Sequence, residues 1–143
     1  MLEKNYFYPK WITIAEGELN QKEIPGAKNN PRILEYHKFT DLKATSEDVP
    51  WCSAFCCWCM EQALIVSPRA AGARMWLKWG IGITRPALGC VAVFKRGNSP
   101  IDAHCGFFLG EEGNDYLIIG GNQGNRVSIK KFPKKDLLGL RWI

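Results

Sequence analysis

Between Pro9 and Ile24 the apolar residues Trp11, Ile14, Ala15 and Leu19 recur at close to helical spacing, behind a proline suited to a first turn. A helix over 9–24 is expected, followed by a loop in the Pro-, Gly- and Asn-rich stretch PGAKNNP, 25–31. RILEYHKFT, 32–40, reads as a short helix, and DLKATSEDVP as a polar loop ending at Pro50. From Trp51 to about Ile65 the chain is apolar nearly all round, which marks a buried helix rather than a surface one. A further helix over 70–79 stops at Gly80. After Gly89 the period changes: CVAVFK (90–95), HCGFFLG (104–110), DYLIIGG (115–121) and RVSIKKF (126–132) read as short strands, and EEGND as a hairpin turn. Helices first and an antiparallel sheet second predict an α+β fold, and without repeats or a linker all of 1–143 is expected to form one domain.

Composition narrows the class. With 46% hydrophobic and 23% charged residues, the 143-residue chain has what a globular core needs. No apolar run approaches the roughly 20 residues of a membrane span. The first residues, MLEKNYFYPKW, lack an apolar signal region, so synthesis in the reducing cytosol is expected. The net charge of +5 suits an anionic partner such as a cell-wall polymer. No nucleic-acid-binding spacing accompanies it, and no nucleic-acid or membrane partner is expected. The domain is expected to be a monomer.

The candidate chemistry lies in PWCSAFCCWCMEQA, which holds four of the six cysteines. Cys52, Cys56 and Cys59 share one helical face, a poor source of tetrahedral zinc ligands. The pair Cys56 and Cys59 lies within a helix, away from the exposed N-terminus that makes such thiols reactive. Cys56, Cys57 and Cys59 are therefore expected to act as small buried hydrophobes. Cys52 stands apart. It follows Pro50 into the first turn, where the helix dipole and free N–H groups favour a thiolate and could hold an oxyanion.

A nucleophile needs a base, and there are two histidines. His37, beside Lys38, is expected at the surface. His104 opens a strand that should pack against the Cys52 helix, and is the candidate base. For the group that orients the imidazole, Asn122 closes the next antiparallel strand and should lie beside His104. Asp102 and Glu111 are charged alternatives, Glu111 the weaker. Gln123 and Asn125 read as turn residues. No metal or cofactor is required.

The order of Cys at a helix start, His opening a strand, and Asn after the next strand resembles the papain-like NlpC/P60 and CHAP cell-wall hydrolases. A small CHAP-like bacterial and phage group is similar in KEIPGAKNNPRILEY, PWCSAFCCWCMEQA, GCVAVFKRG, HCGFF, GGNQGNRVSI and LLGLRW, from about Trp11 to Trp142. The resemblance implies a papain-like domain with Cys52 as nucleophile, His104 as general base and Asn122 as orienting residue. Where those relatives often carry an acidic residue two positions before the Asn, this chain has Gly120; where they carry a β-branched residue after the His, it has Cys105. Cys105 reads as packing. Trp51 and Trp79 read as core sooner than groove.

The implied function is a peptidoglycan hydrolase, a cysteine endopeptidase or amidase acting on the stem peptide through a thioester. A phage endolysin released through a holin is the leading form. A secreted antibacterial effector with an immunity partner is the alternative, as is a non-catalytic wall-binding module of the same fold. A zinc protein built on the cysteine cluster is the third reading. Bond choice is expected to reside in loops 25–31 and 96–103.

Overall fold

In a computed structural model that describes residues 8–26 and 28–143, three α-helices precede a six-stranded antiparallel sheet. The opening segment read for a leader lies mostly outside the described residues. The helices are α1 (Lys10–Gly17), α2 (Pro31–His37) and α3 (Cys52–Gln62). After a 3-10 helix, Ala73–Lys78, come β1 (Ile81–Ile83), β2 (Val91–Lys95), β3 (Ala103–Glu112), β4 (Asp115–Gly120), β5 (Ser128–Pro133) and β6 (Leu137–Trp142). The spatial order is β1-β6-β2-β3-β4-β5, every neighbouring pair antiparallel.

α1 buries Trp11, Ile12 and Ala15 but ends at Gly17, short of the expected Ile24. The chain instead turns at Asn20, whose φ is 76°, and runs extended beside residues 125–127. Asn20 donates to Val127 and Glu23 to Asn125, and Val127 donates to Gln21. Backbone groups that a longer helix would have paired internally are thus paired across the molecule. α2 begins at Pro31, and Asn30 caps it by accepting from the Arg32 N–H at 2.9 Å. His37 is only 1% exposed, with Nε2 unpartnered, which corrects the surface placement expected for it. Burial lowers its pKa and keeps it neutral.

The helix expected over 70–79 is a 3-10 helix. Its buried residues, Ala73 and Trp76, are three apart, the spacing at which side chains of that helix eclipse. β1 and β6 had no counterpart among the expected strands. β1 is three residues long, and β6 contains Gly139 and Arg141 within LLGLRW.

α3 is buried along Cys52–Met60 and rests on β3 and β4. Its side of the sheet carries Val91, Val93, Cys105, Phe107 and Ile119. The other side carries Ala92, Phe94, Phe108, Tyr116, Ile118 and Leu140. Period-2 alternation therefore sets Cys105 against the helix and turns His104 to the opposite face.

Candidate functional site

α3 starts without a side-chain cap, and its first intrahelical bond runs from the Phe55 N–H to the Trp51 carbonyl. The N–H groups of Cys52, Ser53 and Ala54 precede that bond, so the positive end of the helix lies around the Cys52 thiol. The start is held firmly. Ser53 Oγ donates to the Ala70 carbonyl at 2.6 Å and accepts from Trp76 Nε1 at 2.9 Å. Trp51 is fully buried and donates from Nε1 to Glu23 at 2.8 Å. On the sheet side, a Cβ at Gly121 would lie 2.7 Å from Phe55 and 2.8 Å from the Trp51 ring. Glycine at that position is what lets the helix start approach the end of β4.

Cys52 is 4% exposed and lines a cleft with Pro50, Gly72, Ala73, Arg96 and Asp102. Its thiol is held well below the usual range. The largest cause is the neighbouring Cys105 thiol, opposed by burial. The charge and hydrogen bond of His104 follow, and then a main-chain hydrogen bond at Cys105. A thiolate accepts, so that main-chain donor can only be the Cys105 N–H. Cys52 and His104 are thereby brought together where β3 begins.

His104 is 4% exposed and stacks on Phe132, with ring centroids 4.7 Å apart and planes at 13°. Its Nε2 lies 2.8 Å from Oε1 of Gln123, which is itself 4% exposed. The orientation of the Gln123 amide is fixed, because its Nε2 donates to two carbonyls, Ile118 at 3.1 Å and Ser128 at 2.7 Å. Only the amide oxygen faces the imidazole, so Nε2 of His104 carries a proton and donates it to that oxygen, which leaves Nδ1 as the ring nitrogen not engaged by Gln123. The Gln123 main chain is pinned too: its N–H donates to Arg126 and its carbonyl accepts from Ser128 Oγ, both at 2.9 Å.

The imidazole is therefore partnered by Gln123, one residue beyond the position implied for that role. Asn122 lines the same cleft as His104 and turns the chain with φ of 57°; the side-chain hydrogen bond of the ring is with Gln123. Asp102 is exposed beside Cys52 in the first cleft, and Glu111 accepts from Lys134 at 2.9 Å on the far end of β3. One pattern in the sequence does point to Gln123. Alternation from His104 puts Gly106 on the same face, and Gly120 closes the neighbouring strand. Both leave room for a long side chain: a Cβ at Gly120 would lie 2.5 Å from Gln123 Oε1, and one at Gly106 would lie 3.4 Å from it.

All six cysteines are free thiols. Cys56, Cys57 and Cys59 are fully buried in the helix-side core. Cys105 faces Cys56 with 3.9 Å between sulfurs. Among the described residues, no three His, Cys, Asp or Glu side chains are grouped to hold a metal ion. The loop 25–31 lines a separate cleft, where Pro25 and Gly26 meet Glu23, Glu47 and Asn125. Taken together, the arrangement provides a thiol of lowered pKa and an imidazole whose Nε2 is held by a neutral amide. No protein-family model matches the chain, and no curated protein is found similar to it.

Proposed function

We propose that this protein is a cysteine hydrolase of papain-like type that cuts amide bonds in the peptide part of peptidoglycan. The observation that carries the reading is the His104 imidazole held by the locked Gln123 amide, beside a Cys52 thiol that His104 helps to keep at lowered pKa. Nucleophile, base and orienter in that relation are what acyl transfer to a thiol requires. The wall as substrate rests on the resemblance of the motifs around Cys52, His104 and Asn122 to NlpC/P60 and CHAP hydrolases, and on the net positive charge.

In the proposed reaction Nδ1 of His104 takes the Cys52 proton, and the thiolate attacks the amide carbonyl carbon. The oxyanion is met by N–H groups of the first turn of α3. On collapse the C–N bond breaks, and the imidazolium returns its proton to the departing amine. A water molecule, deprotonated by the same imidazole, attacks the thioester and releases the acid, regenerating the thiol. Gln123 holds the ring in one tautomer throughout, the role that the resemblance gives to Asn122.

Digestion of purified sacculi tests the reading. Wild-type protein is expected to release soluble muropeptides that mass spectrometry assigns to one amide bond, and Cys52→Ala to release none. Equal release by the two proteins would overturn it. Binding of sacculi by both proteins without any product would support a wall-binding module instead.

A further inference from the structure

The thiol and the imidazole open into different clefts. Cys52 lines one with small residues, Gly72 and Ala73 among them, and with Asp102 and Arg96. His104 lines the other, whose charged residues are Lys95, Arg96, Lys130 and Asp136. Arg96 belongs to both, so the two clefts adjoin across the reacting pair. In a thiol hydrolase the acyl part of the substrate stays on sulfur and the amine part leaves from the imidazole. The thiol-side cleft therefore faces the acyl residue, and the imidazole-side cleft faces the amine residue.

The charge on the amine side is unbalanced. Asp136 is engaged by Lys95 at 3.9 Å. Lys130 lies over the Phe132 ring, 5.8 Å from its centroid, on the same ring that stacks on His104. Neither Lys130 nor Arg96 has a carboxylate partner among the described residues. From this we infer that the imidazole-side cleft binds a carboxylate carried by the amine half of the substrate, with Arg96 and Lys130 as its recognition residues. The inference deepens the proposed hydrolase by assigning its substrate class: an amide whose nitrogen belongs to an amino acid with a free carboxylate close to the scissile bond.

Alkylation of Cys52 provides a test that does not need hydrolysis. Iodoacetate and iodoacetamide both form the S–C bond and expel iodide, but only the first carries a carboxylate. Removing one cation by Arg96→Gln or Lys130→Gln is expected to lower the iodoacetate-to-iodoacetamide rate ratio about two- to five-fold, the effect of one partly screened charge. The double variant should lower it further, and about 1 M salt should erase the differences. A ratio unmoved by either substitution overturns the inference. In a second arm, acetyl-alanyl-alanine is compared with its C-terminal carboxamide. Wild type is expected to show the higher kcat/KM on the free acid, and the variants a smaller preference. Equal kcat/KM values for the two peptides in wild type would also overturn it. A responsive alkylation ratio together with equal muropeptide release by wild type and Cys52→Ala would support the carboxylate site while overturning the hydrolase reading.

Discussion

Shortening Gln123 to alanine leaves the His104 ring without its partner at Nε2, while the Cys52 thiol and the thiol-side cleft, which Gln123 does not line, stay in place. On the proposed mechanism Gln123→Ala lowers kcat about 10²-fold, the scale of a small misplacement at a reacting centre, with KM little changed. Gln123→Glu preserves the shape but points a carboxylate at the Ile118 and Ser128 carbonyls, so it should not rescue the rate. Steady-state kinetics of the two variants checks this. Cys105 has a different effect on the same centre, because its thiol is the main support of the low Cys52 pKa. Cys105→Val removes that polar neighbour of the thiolate, so the pH at which Cys52 becomes alkylatable should rise toward the ordinary value of 9.0. In wild type the thiolate forms at lower pH and alkylation persists into mildly acidic solution. The pH profile of iodoacetamide labelling, followed by mass spectrometry, separates the two proteins. At this scale the placement of Cys52 in a first helical turn and of His104 at the start of a strand was legible, since both follow from local punctuation. Gln123 was not, because its role depends on how the 121–127 turn folds back over Gly120 and Gly106. His37 was misjudged because a polar flank in sequence says nothing of what packs over it.

The site exists because two elements approach closely, the start of α3 and the end of β4. Gly121 is the contact point, and a methyl group there would meet Trp51 and Phe55 at distances real Cβ atoms do not adopt. Gly121→Ala is expected to destabilise the protein by about 1–3 kcal/mol, as overpacking does. It should also push the thiol away from His104, so that thermal unfolding and the acidic limb of Cys52 alkylation shift together. A variant with lowered Tm and unchanged alkylation would dissociate the contact from the site. Among the elements, the start of α3 was read to within one residue and its end to within about three, because an all-round apolar run bounded by Pro50 has few alternatives. β2, β3 and β4 were likewise clear from alternation and the EEGND turn. The tail of α1 was lost to tertiary pairing, which offered residues 20–23 partners that helix propensity cannot anticipate. β1 was too short to leave a periodic trace, and the glycine and arginine in β6 obscured its alternation.

For the whole molecule, helices before an antiparallel sheet could be read from the sequence, but the strand order could not. Alternation tells which residues share a face; it does not tell which strands become neighbours. β6 is the last strand in chain order, yet it lies between β1 and β2, pairing Leu140 with both Ile83 and Ala92. Deleting residues 137–143 leaves β1 without a partner and opens the edge of β2, the strand that adjoins β3 and His104. The truncated chain is expected to lose cooperative unfolding in circular dichroism and to aggregate through that edge. During synthesis the same dependence sets a sequence of events. The ribosome delivers the thiol, the imidazole and the amide before the strand that completes their sheet. A nascent chain thus carries every reactive group while its scaffold is still open.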